Sequence, residues 1–297
     1  MTHEIFVPFW GDPQQLYATV ESVRDQTVAD WRLTVIDDCY PDPSVAAHFA
    51  DEDDERITYT RNEHNVGITE NFREAVRRAT SSHITILGCD DLLHPNYLRV
   101  IEEAMLAVPD ADVIQPGVEV IDEFGSRSMP LVDRVKQTLL TPRGKSGIHI
   151  LRGERMATSL IRGNWLYWPS LALRTETLRR IDFRDDLPII LDLALLMDIA
   201  FDGGTLVYNP TVAFSYRRHR ASASQKTLLD GSRFRDERGY YAEARRIAKS
   251  LGWGRTARTA RVRLMSRLHG AAELITVLRR GTPAGLRSAA AHIFSPF

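Results

Sequence analysis

Cysteine is almost missing from this 297-residue chain: Cys39 and Cys89 are the only two. That is too few for a disulfide framework or a structural zinc site. No uninterrupted apolar run approaches the roughly 20 residues a membrane-spanning helix needs. The opening Met1-Thr2-His3-Glu4-Ile5-Phe6-Val7 lacks the basic start and apolar stretch of a secretory leader. Internal repeats and low-complexity segments are absent too. What the chain does have is 43% apolar and 26% charged residues, which excludes a disordered or fibrous protein. A cytoplasmic globular protein with a sizeable core is the expectation.

The net charge of −1 conceals an asymmetry. Residues 1–231 carry 24 Lys/Arg against 35 Asp/Glu, whereas residues 232–297 carry 14 against 4. An acidic body of 1–231 followed by a basic helical extension of 232–297 is expected.

Within the body, apolar runs alternate with helical periodicity. Ile5-Phe6-Val7-Pro8-Phe9 reads as a buried strand, and Leu16, Val20 and Val23 recur at helical spacing behind Asp12 as N-cap and Pro13. Strands are expected over Trp31–Ile36, Ile57–Thr60, His83–Leu87 and from Asp112, with helices over about 69–79 and 95–108. Strand and helix thus alternate within the first 115 residues, the pattern of an α/β fold with a mostly parallel sheet. Beyond that the pattern loosens. There, 126–147 read as a long loop or lid, 149–162 as a helix, and 163–170 as an aromatic loop. A further helix falls within 185–201, a strand resumes over 205–208, and helices follow over 233–251, 255–277 and 284–293.

Ligands of such sheets bind beyond the carboxyl ends of the strands. Those ends carry Pro8-Phe9-Trp10, Asp37-Asp38 and Asp90-Asp91. Paired carboxylates there suit magnesium or manganese, which take oxygen ligands and only one or two carboxylates from the protein. Each pair alone reads equally as a turn or a helix cap. Cys39 and Cys89 read as small space-fillers.

The order of these features resembles the inverting, family-2 glycosyltransferases with a GT-A fold. The resemblance rests on Val7-Pro8-Phe9-Trp10-Gly11, on Ser22-Val23-Arg24-Asp25-Gln26-Thr27 and on Asp37-Asp38-Cys39-Tyr40 in place of Val-Asp-Asp-Gly-Ser. It continues through Asn65-Val66-Gly67, Leu87-Gly88-Cys89-Asp90-Asp91, Leu191-Asp192 and Tyr216-Arg217-Arg218-His219 running on to Ser222 and Ser224. Together these cover about residues 4–225, and the resemblance implies a GT-A domain over 1–231, with 1–115 as its nucleotide-binding half and 116–231 as its acceptor-binding half. Two positions depart from the family pattern: Gly88 replaces the first Asp of the metal motif, and Leu191 replaces a Glu beside the base.

The resemblance implies a metal-dependent transfer of a sugar from a nucleotide-sugar donor, a UDP-sugar by family habit, to a hydroxyl of a glycan, lipid-linked or small-molecule acceptor. It implies Asp192 as catalytic base and Asp90 as metal ligand, supported by Asp91. Around the donor nucleotide it implies Pro8, Trp10, Asp37, Asp38, Asn65 and Gly67, with Arg217, Arg218 and His219 at the diphosphate. Trp165, Tyr167 and Trp168 are equally an acceptor wall and ordinary core. Asp198 and the pair Asp185-Asp186 compete with Asp192. A non-catalytic sugar-nucleotide-binding or assembly module is the alternative that the two departures leave open, with Asp90 and Asp192 retained on the side of activity. A nucleotidyltransferase fits less well, because Val7–Asp12 lacks a glycine-rich triphosphate loop. Arg255, Arg258, Arg261, Arg263 and Arg267 give the extension a choice between a solvated packing face and an anionic membrane surface. Nucleic acid is not an expected partner of so acidic a body.

Overall fold

The computed structural model describes residues 2–142, 147–219, 232–280 and 282–294. In chain order the first elements are β1 (His3–Phe9), α1 (Pro13–Arg24), β2 (Trp31–Asp37), α2 (Ser44–Ala50), β3 (Ile57–Arg61), α3 (Ile68–Arg78) and β4 (His83–Ile86). There follow β5 (Leu92–Leu93), α4 (Tyr97–Ala107), β6 (Val113–Ile121), α5 (Leu131–Val135), β7 (His149–Arg152), α6 (Gly153–Arg162), β8 (Ala172–Arg174), α7 (Thr175–Arg180), α8 (Leu191–Phe201) and β9 (Thr205–Arg217). Four helices close the chain: α9 (Ser232–Ser250), α10 (Gly254–Val262), α11 (Leu264–Arg280) and α12 (Pro283–Phe294).

One sheet runs β3-β2-β1-β4-β8-β6-β9-β5, with β7 added to β9. β3, β2, β1 and β4 are parallel, as the strand–helix alternation predicts. The second half is mixed rather than mostly parallel: β6 and β9 are parallel, but β8, β5 and β7 pair antiparallel to their neighbours. β8 has three residues and β5 two, too short to leave a periodic signature. Both faces of the sheet are covered, which explains why β1 is buried along its whole length. Phe6, Ile84 and Ile86 face α3, α6 and α8, while Ile5, Val7 and Phe9 face α1 and α4.

Asp12 caps α1 as expected, its carboxylate accepting from the Gln14 amide at 2.8 Å ahead of Pro13 in the first turn. Other expectations shift. The segment expected as a lid carries α5 and a π-helical turn over 136–140. The helix expected from 149 begins at Gly153, because His149–Arg152 instead add a strand to the edge of β9. The helix expected over 255–277 breaks at Arg263, whose left-handed φ of 51° ends α10.

The charge boundary at 231 is not a packing boundary. Tyr240 and Tyr241 of α9 and Ala260 of α10 are buried in the same core as α6 and α8. Thr158 and Thr256 share a hydrogen bond of 2.8 Å, and Glu154 accepts from the Arg255 amide at 2.6 Å, at the start of α10. Among the described residues no helix is long and apolar enough to cross a membrane.

Candidate active site

Beyond the carboxyl ends of β1, β2 and β4 lies a cleft of about 400 Å³, walled by Pro8, Trp10, Asp38, Asn65, Gly67 and Asp90, with Trp168 and Pro169 opposite. Trp10 is 53% exposed at the rim, edge-on to Tyr40. The two members of the first acidic pair part company. Asp37 is fully buried and accepts from the Tyr40 amide at 2.6 Å, from Arg61 Nη1 at 2.8 Å and from the Tyr59 hydroxyl. Burial and then Asp37 push the Tyr59 phenol up to about 12, so it stays a donor. Saturated this way, Asp37 is a structural anchor and not part of the cleft wall where the nucleotide contact was expected. Asp38 reaches the cleft, and its carboxylate accepts from the amides of Val66 and Gly67 at 2.8 and 2.9 Å and from Asn62 Nδ2 at 2.9 Å. It thereby holds Asn65 and Gly67 in the wall. Gly67 has φ 83°, a left-handed entry to α3 that glycine adopts without strain.

The second pair separates in the same way. Asp91 is buried, its Oδ1 accepting from the Arg217 amide at 2.7 Å and its carbonyl from Thr19 Oγ1 at 2.8 Å. Burial, and then the charge of Asp90, hold its carboxyl well above the ordinary value. A side chain at position 88 would place its Cβ 2.5 Å from Asp91 Oδ2, so Gly88 is what admits this carboxylate against the backbone. Asp91 therefore braces the strand end and does not face the cleft as a metal ligand. The Arg217 guanidinium, expected at the diphosphate, is spent on the carbonyls of Asp90, Asp122 and Glu123. Asp90 does reach the cleft, its Oδ2 2.7 Å from His219 Nε2. Burial, then Asp90, push the neighbouring Cys89 thiol up to about 12, which keeps it unreactive.

No group of three or more His, Cys, Asp and Glu side chains placed to hold a metal occurs among the described residues. Of the two carboxylates in the cleft wall, Asp38 is taken up by Asn62, Val66 and Gly67, which leaves Asp90, with His219 beside it, as the metal donor. That suits magnesium or manganese, which fill most of their positions with water and phosphate oxygens.

Asp192 lies in the first turn of α8, where Asn164 Nδ2 donates to its Oδ2 at 2.8 Å. Asp192 is not itself in the cleft wall; its partner Asn164 stands four residues before Trp168, which is. Leu191, the departure beside it, is buried in the core. The aromatic trio is split: Trp165 is core, its Nε1 donating to Ser159 Oγ at 3.0 Å, and Tyr167 is buried and donates to Asp133 Oδ1 at 3.0 Å. Only Trp168 faces the cleft. The competitors are tied elsewhere, Asp185 to Arg73 at 2.8 Å and Asp198 beside Arg184 at 3.8 Å.

Two residues that organise these surroundings escape a sequence reading: Asn164, bonded to Asp192, and Asp133, bonded to Tyr167 and Arg218. Asp133 is fully buried and takes Arg218 Nε and Nη2 at 3.0 and 2.8 Å. It sits in the segment that composition marks as loop, with no motif to signal it. A second cleft of about 370 Å³ is walled by Asp122, Glu123, Phe124, Ser128, Pro130, Arg218 and His219, and its His219 is bonded to Asp90 of the first. Ser222 and Ser224 lie outside the described residues.

Comparison with known proteins bears on the fold and the family. The chain is 30% identical over 97 residues to the putative colanic acid biosynthesis glycosyl transferase WcaA of Escherichia coli, covering 32% of this chain and 35% of that protein. It is 25% identical over 151 residues to the putative glycosyltransferase EpsE of Bacillus subtilis, covering 49% and 53%. The matches therefore span about half the length of these curated relatives or less. Its fold is that of S. aureus TarS solved with UDP-GlcNAc, with a TM-score of 0.63 at 14% identity, covering 99% of this chain and 88% of that one. The family model "Glycosyl transferase family 2" matches residues 4–159, more than half of the chain, and the protein belongs to that family.

Proposed function

We propose that this protein is an inverting glycosyltransferase that moves a sugar from a nucleotide-sugar, a UDP-sugar in the first instance, to a hydroxyl of a glycan, lipid-linked or small-molecule acceptor. The observation that carries this reading is the convergence of Pro8, Trp10, Asp38, Asn65, Gly67 and Asp90 on one cleft at the strand ends of a family-2 chain. TarS in complex with UDP-GlcNAc supports the donor class.

In this reading the base and ribose rest between Trp10 and the loop that Asp38 organises, and His219 faces the diphosphate. Asp90 would hold a manganese or magnesium ion, whose chemistry is to neutralise charge on the departing diphosphate. The acceptor oxygen attacks the anomeric carbon from the side opposite the diphosphate. As that C–O bond forms, the C–O bond to the nucleoside diphosphate breaks and the configuration inverts. Asp192 accepts the hydroxyl proton, and Asn164 fixes which carboxylate oxygen is free to do so. Peripheral docking on an anionic membrane through 232–297 belongs to the same reading, supported by the exposed Arg255, Arg258 and Arg261 of α10.

The test is calorimetric titration of UDP with and without manganese into wild type and Asp90→Asn. The variant is expected to stay folded and to lose at least about tenfold of the manganese-dependent affinity, because one ligand oxygen is replaced by an amide. Equal affinities would remove the metal assignment. No binding of any nucleotide or nucleotide-sugar by wild type would remove the donor site itself.

A further inference from the structure

Lys136 is a cation that the mechanism above does not use. It opens the π-helical turn behind α5, in the acceptor half. Its ammonium stands 5.1 Å from the centre of the Tyr167 ring, and among the described residues it makes no hydrogen bond or ion pair. The nearest acid on its own segment cannot serve it. Asp133 is buried and already takes two guanidinium nitrogens of Arg218 and the Tyr167 hydroxyl. Around Lys136 the charges that act on it are Arg218, Asp192, Asp133 and Arg233. Burial and then Arg218 depress its pKa, with Asp192 and Asp133 opposing them. A desolvated ammonium beside a second cation is an unfavourable arrangement until an anion joins it.

Position selects the ligand. Lys136 lines neither cleft, but it is joined to Arg218 of the second cleft through Tyr167, whose ring it faces and whose hydroxyl shares Asp133 Oδ1 with Arg218 Nη2. Asp192, toward which an acceptor hydroxyl must come, is near enough to act on Lys136's charge. We propose that Lys136, together with the Nη1 edge of Arg218 that Asp133 leaves open, holds an anionic group of the acceptor, a phosphate or a carboxylate. The assignment to the acceptor rests on the glycosyltransferase reading; the anion site itself does not.

The experiment titrates inorganic phosphate into the full chain, once alone and once saturated with UDP and manganese, for wild type and Lys136→Met. Methionine keeps the stem and drops the charge, so the variant is expected to melt no lower than wild type. Wild type should bind phosphate in both states, and Lys136→Met should weaken that binding at least tenfold while changing UDP affinity less than twofold. Acetate as a second titrant decides between the two anions, the tighter one naming the acceptor group. Phosphate binding that is absent in wild type or unchanged in the variant overturns the site. A matching loss of UDP affinity assigns Lys136 to the donor diphosphate and overturns the acceptor assignment. Should UDP fail to bind at all, the glycosyltransferase reading falls while the titration without UDP still reads Lys136.

Discussion

Cys39 follows the buried Asp37 and the loop-holding Asp38, and its φ of 62° is left-handed. The family pattern has glycine there, because a Cβ in this conformation meets the following carbonyl at a cost of roughly 1–2 kcal/mol. Cys39→Gly is therefore expected to stabilise the fold by up to about 1 kcal/mol, the gain being reduced by glycine's larger unfolded-state entropy. A chemical denaturation midpoint that moves down would contradict the strain argument. The base assignment is tested at the same scale. Asp192→Asn keeps the size and the Asn164 contact region but cannot take a proton near neutral pH. Turnover should fall about 10²–10⁴-fold with donor affinity little changed. Full activity would remove Asp192 from the mechanism, and a purely thermal effect would make it a helix cap.

Between elements, the informative carboxylate is Asp198, on α8 where α9 packs. Burial raises its pKa from 3.8 to about 6, Arg184 opposes the rise, and Glu243 and Asp186 add to it. A raised acid keeps its proton in the folded state over a range where the unfolded chain has released it. Its contribution to stability is thus fully present below the unfolded value of 3.8 and is lost as pH rises through about 6. Asp198→Asn cannot ionise, so the melting temperature of the variant should gain on wild type between pH 5 and pH 8. A constant difference across that range would show that Asp198 titrates normally. At the other side of the sheet, Asp12→Ala removes the acceptor that holds the Gln14 amide, and should cost about 1 kcal/mol through fraying of α1.

For the molecule as a whole, the charge asymmetry and the packing divide the chain differently. Because Tyr240, Tyr241 and Ala260 complete the core over α6 and α8, deleting 232–297 would strip the catalytic body of its cover. Charge reversal is the cleaner probe. Replacing Arg255, Arg258 and Arg261 together by glutamate leaves that core untouched, since all three are exposed. Sedimentation with anionic vesicles is expected to fall, each arginine near such a surface being worth about 1 kcal/mol. If intact protein does not sediment, or the variant sediments equally, the membrane role is lost and the arginines are solvated surface.

Periodicity and turn residues sufficed to read the parallel half of the sheet, its helices and the strand ends where carboxylates gather, because those signals are local. The ordered motifs sufficed to name the family. What stayed out of reach was which member of each acidic pair faces the ligand. Adjacent residues at a strand end point to opposite sides, and the inward one is claimed by partners far along the chain: Asp37 by Arg61, 24 residues on, and Asp91 by the Arg217 amide, 126 residues on. The same holds for Arg217 and Trp165, whose residue types suit a binding site but whose hydrogen bonds are spent on backbone carbonyls and on Ser159. Lys136 and Asp133 became visible only in three dimensions, because what marks them is the supply of partners around a buried charge, and that supply is set by packing.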